Sequence, residues 1–305
     1  MNLSQTNGTA GGSARRDSLL TALLKNLMVT CLCLLINYVN GVQIHTFRKH
    51  QVFYSNPRYV LFIHLVVNDM LQVSLSSLLH VLSYVFLTVS ASFCAVALLA
   101  TMLTTQNTPL NLAAMAVERY LAVCLPLRYA HICTLRRTYR LVGAMWAAGL
   151  LAVLPDLFFL AATRPRRFFG SRLVCSMEVF GEARGAMRKD AWHAAFLVLV
   201  WLTLLYTYVS IGCAARRASA QAQKARNTIL LHAFQLLLSM LSYVRGPFEQ
   251  ALLRLLPRRY LAIVFASFIL IQVLPRLVSP VVYGLRDQSF RKYVGRYLLC
   301  RRSPA

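Results

Sequence analysis

The sequence predicts an all-α membrane protein, a bundle of seven transmembrane helices with its N-terminus outside and a short amphipathic eighth helix. Hydrophobic residues make up 58% of the 305-residue chain and charged residues 14%, whereas a soluble domain carries about 25% charged residues. Apolar stretches on this scale cannot all be buried in a soluble core, so lipid must cover much of the chain. Seven segments reach the roughly 20 apolar residues that a spanning helix needs, at about 22–46, 58–84, 92–123, 138–162, 192–213, 227–246 and 260–283.

The spans divide the chain into three parts. Residues 1–21 form a polar extracellular tail, residues 22–283 the transmembrane domain, and residues 284–305 a cytoplasmic tail. The cytoplasmic tail includes a stretch from about Asp287 to Leu299 that mixes basic with aromatic and apolar residues, a pattern typical of a helix lying on a membrane surface.

An odd number of spans places the two ends of the chain on opposite sides of the membrane. Asn2 and Asn7 begin glycosylation sequons, which are useful only outside the cell. The basic gaps that contain Arg48, Arg136 and Lys224 then fall inside, as the positive-inside rule favours. The longest loop, about 163–191, joins the fourth and fifth helices on the outer side and is also rich in arginine. The sequons and the other loops together therefore decide the orientation.

Basic residues greatly outnumber acidic ones. There are 33 Lys and Arg against 9 Asp and Glu, a net charge of +24. On a soluble protein this excess would indicate nucleic acid. Here the basic residues collect in short gaps between apolar spans, where they face anionic lipid, so membrane lipid is the expected partner and nucleic acid is not. The eight cysteines form no CxxC pair and no metal-ligand spacing, and neither a metal nor another cofactor is predicted.

Ionisable side chains in or at the ends of the spans are costly in lipid and are therefore candidates for function. The notable ones are Asp69, Glu118, Arg119, Asp156 and Arg276. Taken alone, Glu118 and Arg119 are an interfacial charged pair at a helix end.

The residues around that pair change its interpretation. The stretch MAVERYLAVCLPLRY at residues 115–129 resembles the odorant-receptor signature MAYDRYVAICxPLxY, with Glu118 in place of aspartate. Cys94 lies 25 positions before Arg119 and Trp146 lies 27 positions after it, which are the spacings seen in rhodopsin-like receptors.

Motifs in the second and seventh spans extend the likeness. Leu65 and Asp69 match Leu-x-x-x-Asp of the second helix, and SPVVY at residues 279–283 resembles Asn-Pro-x-x-Tyr of the seventh. From the first helix to the tail, the chain resembles the rhodopsin-like (class A) G-protein-coupled receptors, and among them the fish-type odorant receptors.

The resemblance implies a function. A small odorant would bind in the helix bundle and activate a stimulatory heterotrimeric G protein, with the receptor at the plasma membrane of olfactory sensory neurons as a multi-pass protein. It also implies that the chain is not an enzyme and performs no covalent chemistry.

The resemblance further implies a switch at the inner end of the third span. Glu118 is expected to hold the Arg119 guanidinium at rest, in the motif that Tyr120 completes. Release of the guanidinium from Glu118 would let Arg119 engage Tyr283 and the G protein. Such a pair of alternative contacts is a two-state element of the kind that a switch needs. Pro280 frees a backbone carbonyl and gives the seventh helix a hinge.

Cysteines mark both ends of the bundle. Cys94 can reach the long outer loop, whose cysteine is Cys175, and an oxidising exterior favours a disulfide between them. Cys300 follows the amphipathic stretch and is a candidate for palmitoylation, the alternative being a spare tail cysteine.

By resemblance, Asp69 sits in the mid-membrane sodium site of the family. Arg276 departs from the family pattern four residues before Pro280, at a position expected to face that site. We expect an Asp69–Arg276 ion pair in place of sodium, because each charge otherwise lacks a partner in lipid. The alternative is that Arg276 faces a water-filled cavity without pairing.

The family geometry places the ligand between the outer halves of helices three, five, six and seven. Helical phase relative to Arg119, with the likeness for helices six and seven, selects Thr101, Met102, Thr105, Gln106, Tyr243, Phe268 and Gln272. The alternative is that these side chains mediate helix packing. Amine receptors place an aspartate at the position of Thr101, so the sequence argues against monoamines. The basic outer loop is expected to steer anionic solutes toward the mouth.

Some positions depart from the family. Ser279 stands where asparagine is usual. Ser239 and Met240 replace the aromatic and proline motifs of the sixth helix, so the family pattern predicts no particular movement of that helix. Pro109 should kink the third helix.

Rival functions fit less well. A receptor for a peptide, lipid or nucleotide would share every feature except the ligand. A transporter or channel would show repeated halves with broken helices, and none is visible. An intramembrane enzyme would need paired catalytic groups at one depth, whereas His64 and His80 lie far apart along one helix and are more simply packing or interfacial residues.

Overall fold

The computed structural model describes most of the predicted spans and the outer loop. The described residues are 18–86, 88–175, 179, 186–216, 234, 237–238, 241, 245, 248–256, 259–278, 290 and 292–295.

Long helices dominate the described chain. They and the shorter helices between them are α1 (Leu19–Lys49), α2 (Gln51–Tyr54), α3 (Pro57–Val85), α4 (Ala91–Cys124), α5 (Pro126–Ile132), α6 (Leu135–Thr163), α7 (Arg166–Gly170), α8 (Ala186–Arg216) and α9 (Tyr260–Ser267). The helix of α9 continues through a π-helical segment, Phe268–Val273, to residue 278. The two strands are β1 (Val89–Ser90) and β2 (Arg172–Leu173).

Helices are observed at six of the predicted spans, the first to the fifth and, as far as residue 278, the seventh. They are α1, α3, α4, α6, α8 and α9 with its continuation. Most of the predicted sixth span, 227–246, lies outside the described residues, although residues 234, 237–238, 241 and 245 are helical. Helices α1, α3, α4, α6 and α8 extend beyond the predicted spans at both ends. In α1 the added last turn carries Arg48 and Lys49, charged residues that end an apolar pattern without ending the helix.

Local capping explains where two of these helices begin. Asn56 precedes α3, and its side-chain oxygen accepts a hydrogen bond from the Arg58 N–H at 3.1 Å. Pro57 is the first residue of α3, a position where the missing N–H costs nothing. At the start of α4 the Ser90 hydroxyl oxygen accepts from the Phe93 N–H at 3.4 Å. Both side chains satisfy donors that a helix start leaves open.

Lipid-facing surfaces are clearest on α1. Five of the described helices are long and apolar enough to cross a membrane, among them Leu19–Lys49. The side chains of Leu19, Leu23 and Leu27 are 57–79% exposed in the isolated chain. Apolar surface of this extent is unfavourable in water and is expected where lipid tails cover it.

The third span, α4, differs from the others because it is enclosed by protein. It contacts α3, α6 and α8, and polar residues fill its buried middle, including Thr104, Asn107, Thr108 and Asn111. The helix runs on through Pro109 without interruption, and the kink expected there stays a prediction. A polar helix in lipid needs this enclosure because its side chains require partners inside the bundle.

An aromatic cluster joins the start of the tail to the inner end of the bundle. The ring of Phe290 lies 5.1 Å from that of Phe53 and 5.5 Å from that of Phe62, both edge to face. Tyr293 adds a further edge-to-face contact with Phe53 at 5.7 Å. Phe290 is 1% exposed, so this face of the predicted amphipathic stretch is packed on protein.

The outer loop is fastened to the start of α4. Strands β1 and β2 pair antiparallel, with Val89 opposite Leu173, and Cys94 forms the predicted disulfide with Cys175, with Cα atoms 5.6 Å apart. The Ser92 hydroxyl also donates to the Phe169 carbonyl oxygen at 2.7 Å. The described part of the loop is therefore fastened to the outer end of α4 by both covalent and hydrogen bonds.

Replacing Cys175 by alanine should destabilise the receptor. The disulfide closes a loop of 81 residues in sequence separation, and loss of a native disulfide typically costs about 2–5 kcal/mol. The Tm of the purified protein in detergent should fall, whereas Cys31→Ala, at an exposed free cysteine of α1, should leave it unchanged. An equal Tm for Cys175→Ala and the parent would contradict a stabilising role for the disulfide.

Candidate functional site

The predicted charged pair lies at the inner end of α4. The Glu118 side chain is 7% exposed and that of Arg119 16%, and the Arg119 Nε lies 3.5 Å from Glu118 Oε2. Opposite charges at this distance in a partly buried place attract each other more strongly than on a wet surface. The geometry therefore suits the carboxylate to hold the guanidinium, as the motif predicts.

A second group also holds Glu118. The Tyr129 hydroxyl donates a hydrogen bond of 2.8 Å to Glu118 Oε1 from α5, the short helix that Pro126 begins. Burial raises the pKa of the Tyr129 phenol, and the negative charge of Glu118 raises it further, so the phenol stays a donor at neutral pH. In the sequence, Tyr129 is visible only as the last residue of the motif, and no local pattern predicts its contact with Glu118.

Tyr120 faces a different neighbour. Its ring centroid lies 5.7 Å from that of Tyr206 on α8, and one turn further on the Cys124 thiol lies 3.8 Å from the Ser210 carbonyl oxygen. The inner end of α4 thus contacts α5 through Glu118 and α8 through Tyr120. Pro280 and Tyr283, the other predicted members of the switch, lie outside the described residues.

Two buried charges lie in the middle of the bundle. Asp69 and Arg276 are each 2% exposed, and the charge of Arg276 is near enough to act on the Asp69 carboxyl group. The Arg276 Nη2 donates to Gln72 Oε1 at 2.8 Å. The direct Asp69–Arg276 ion pair stays a prediction, and the observed hydrogen bond is to the amide one turn along α3.

Gln72 links three helices. Its Oε1 accepts from Arg276, while its Nε2 donates to the Thr105 hydroxyl oxygen of α4 at 2.8 Å. An amide can serve both partners because it carries a donor and an acceptor. Gln72 was not among the predicted site residues. Its position, three residues after Asp69 on a helix otherwise rich in apolar residues, could have indicated a role.

Further hydrogen bonds join the polar face of α3 to its neighbours. The Asn68 amide donates to the Thr104 carbonyl oxygen at 2.9 Å and to the Thr108 hydroxyl at 3.0 Å. The Trp146 indole N–H of α6 donates to His64 Nε2 at 2.8 Å. An indole nitrogen can only donate, so His64 accepts here and ties α3 to α6, a contact more specific than the predicted packing role.

Among the predicted ligand residues, the two threonines of α4 bond to their own helix. The Thr101 hydroxyl donates to the Ala97 carbonyl oxygen at 2.9 Å, and the Thr105 hydroxyl to that of Thr101 at 2.8 Å. Met102 packs in the outer apolar cluster that contains Cys94.

The remaining predicted ligand residues approach α3. Gln272 donates from its amide nitrogen to the Ser76 hydroxyl at 3.2 Å, and Phe268 stacks on the His80 ring with centroids 4.6 Å apart. Gln106 is buried at 7% exposure. The structure thus brings members of the set from helices three and seven to one face of α3, although their contact with a ligand stays a prediction.

Four other predicted sites fall outside the described residues. They are the glycosylation sites Asn2 and Asn7, the ligand residue Tyr243 and the palmitoylation site Cys300.

Comparison with known proteins identifies the class to which this architecture belongs. Residues 39–285 match the family described as 7 transmembrane receptor (rhodopsin family), which spans most of the chain. The chain is therefore a member of the rhodopsin family of seven-transmembrane receptors, which are receptors and not enzymes, and a multi-pass protein of the plasma membrane. The predicted seven-helix bundle is confirmed.

Individual relatives refine the class. The zebrafish (Danio rerio) Odorant receptor 131-2 is 31% identical over 296 residues, which cover 90% of this chain and 86% of that receptor. The human (Homo sapiens) Olfactory receptor 10P1 is 25% identical over 207 residues, 64% of this chain and 63% of that one. The human Motilin receptor is 46% identical over 54 residues, only 18% of this chain and 13% of that receptor.

Replacing Tyr129 by phenylalanine should raise activity without ligand. The variant removes the hydrogen bond that positions Glu118 against Arg119, and hydrogen bonds to charged groups are worth about 1.5–3 kcal/mol. Ligand-free G-protein activation per receptor at the cell surface should rise several-fold, while Tyr139→Phe, at an exposed position of α6, should behave as the parent. Unchanged basal activity in Tyr129→Phe would contradict the role given to this contact.

Sodium should have no specific effect on the parent protein. Arg276 brings a permanent positive charge to the place where the family resemblance puts sodium, and its charge already acts on Asp69. The Tm in sodium chloride should equal that in choline chloride, and Arg276→Ser should make the Tm sodium-dependent. The double variant Asp69→Asn, Arg276→Ser should lose that dependence, and a sodium-dependent parent would refute the assignment.

Proposed function

We propose that this protein is an odorant receptor of olfactory sensory neurons that activates a stimulatory heterotrimeric G protein. The observation that carries the proposal is the buried Glu118, held by both Arg119 and Tyr129 at the inner end of α4. It occurs in a chain whose relatives over most of its length include an odorant receptor. A small molecule would bind in the outer half of the bundle and release this contact.

The two ends of the signalling path lie on one helix. Thr105 stands in the outer half of α4 and Arg119 at its inner end, with the polar α4 enclosed by α3, α6 and α8. A ligand that hydrogen-bonds Thr105 or Gln272 would compete with Gln72 and Ser76 of α3. The position of α4 against α3 would then differ between the free and bound states.

A ligand can shift such an equilibrium only by its difference in affinity for the two states. The inner end of α4 has separate contacts to α5 and to α8, so a small shift of the helix can exchange one set of contacts for another. That exchange would expose Arg119 to the G protein, which is how we propose that binding outside becomes nucleotide exchange inside.

The alternative is a rhodopsin-like receptor for a peptide, lipid or nucleotide. One observation favours it, the local likeness to the Motilin receptor, and that likeness covers 18% of this chain. The likeness to Odorant receptor 131-2 covers 90%, and we therefore prefer the odorant.

The test is a cAMP assay in cells that carry the olfactory stimulatory G protein, screened against water-soluble odorants. The parent should respond to at least one odorant, and Arg119→Ala should lose that response at equal surface expression. Arg140→Ala, at an exposed position of α6, should keep it.

Two results would count against the proposal. A full response in Arg119→Ala would refute the switch. A response to peptides, lipids or nucleotides, with none to odorants, would favour the alternative.

A further inference from the structure

A groove runs along one side of α1 toward the inner end of the bundle. The cavity measures about 290 Å³, and its described lining consists of Asn37, Tyr38, Gly41, Val42 and His45. Residues at these spacings share one face of a helix. We refer to these five residues and the cavity between them as the α1 groove.

The depth of the α1 groove matches that of one lipid leaflet. Lys49 is the last residue of α1, and along the helix axis His45 lies about 6 Å and Asn37 about 18 Å from it. Half of the hydrocarbon core of a membrane is about 15 Å thick. The groove therefore extends from the inner interface to the middle of the membrane, which is the depth that an acyl chain of the inner leaflet occupies.

Glycine keeps the groove open. A Cβ atom on Gly41 would have no atom within 4 Å, and the neighbouring Tyr38 side chain is 53% exposed. At the deep end, the Asn37 amide donates to the Ser74 hydroxyl oxygen of α3 at 3.0 Å, so its donor is engaged with protein. The open surface is mainly apolar and suits a hydrocarbon chain better than a polar solute.

Basic side chains stand at the inner mouth of the groove. Lys49 follows His45 by one helical turn on the same face of α1 and is exposed. The ring of His50 lies 4.2 Å from that of Tyr293, which brings the tail to the end of α1. Lys292, the residue before Tyr293, is also exposed. Cations from α1 and from the tail therefore lie near each other at this mouth.

The sequence on this side of the membrane has few acidic residues to balance these cations. Residues 45–58 carry three Lys and Arg and residues 284–305 carry six, and Asp287 is the one acidic residue of the two segments. Under the predicted orientation, Glu118 is the other acidic residue on the inner side. This imbalance belongs to the sequence and holds whatever contacts Lys49 makes. Such a cation excess at a membrane surface favours an anionic headgroup.

We propose that the α1 groove binds an anionic glycerophospholipid of the inner leaflet. One acyl chain lies in the groove against Tyr38 and the open side of Gly41, where close packing rather than water exclusion favours it. The headgroup lies at the mouth, where Lys49 and Lys292 donate to its phosphate oxygens. This site is separate from the odorant and the G protein and goes beyond the proposed function.

A lipid held in this way would join two parts of the chain. Its acyl chain contacts α1, while its headgroup contacts both the end of α1 and the start of the tail. The rings of His50 and Phe53 already pack on Tyr293 there. A ligand that binds the folded state stabilises it, so the bound lipid would strengthen this junction.

The test titrates the purified receptor in detergent with phosphatidylserine, or with phosphatidylcholine that has the same acyl chains. Native mass spectrometry measures the fraction of receptor that carries one lipid, and this fraction gives an apparent Kd. Two competitors identify the part of the lipid that is bound. They are glycerophosphoserine, which has the headgroup without acyl chains, and cholesterol, which has an apolar body without an anionic headgroup.

The headgroup contact is tested with charge variants. Phosphatidylserine should bind at least about tenfold more tightly than phosphatidylcholine, and Lys49→Gln with Lys292→Gln should raise its Kd about tenfold or more. Lys49→Arg with Lys292→Arg should retain the binding. The matched control is Arg136→Gln with Arg140→Gln, which removes two exposed charges from the inner end of α6 and should leave the Kd unchanged.

The groove is tested with a glycine variant. Gly41→Leu fills the open space and should weaken the binding of both phospholipids several-fold. Gly143 of α6 is the matched control, because a Cβ atom there would also have no atom within 4 Å, and Gly143→Leu should bind as the parent does. The Tm of each variant without added lipid reports whether it folds.

Loss of phosphatidylserine binding in the Lys49 and Lys292 pair and in Gly41→Leu, with both controls intact, supports the proposal. An equal loss in the α6 charge variant would indicate a diffuse surface field and overturn the site. Equal affinity for the two phospholipids, absence of binding, or an unaffected Gly41→Leu would overturn it as well. Displacement by glycerophosphoserine or by cholesterol would overturn the phospholipid as the occupant.

Discussion

Polar side chains inside a bundle that lipid surrounds must find their partners on neighbouring helices, and this constraint shapes the whole structure around α4. The helix carries threonine, asparagine and glutamine through its buried middle, and it is enclosed by α3, α6 and α8. Unsatisfied polar groups are expensive where water is absent. The amides of Asn68 and Gln72 on α3 meet this demand by bonding to α4, so the packing of these two helices is directed by hydrogen bonds as well as by shape.

Helix α4 is fastened to other elements at both its outer and its inner end. At its outer end α4 is tied to the loop by Cys94 and Cys175, and at its inner end Glu118 is tied to α5 by Tyr129. Between them, Gln72 connects Thr105 to Arg276 of the seventh span. A rearrangement at this amide would alter contacts with both neighbours at once, because its donor and its acceptor are both in use.

Charge is distributed unequally along the membrane normal. Arg276 occupies the middle of the bundle beside Asp69, and Lys25, His80 and Arg245 gather at the outer end against aromatic rings.

The sequence by itself determined most of the helices, the disulfide partners and the position of the Glu118–Arg119 pair. The length of an apolar segment is a local property of the sequence, so it predicted α1, α3, α6 and α8. The disulfide could be predicted because Cys175 is the cysteine of the outer loop. The sequence did not reveal that Tyr129 holds Glu118 or that Gln72 receives Arg276. Those contacts join residues from 11 to 204 positions apart. Which side chains meet over such separations depends on the rotation and depth of each packed helix, and only the tertiary structure decides these.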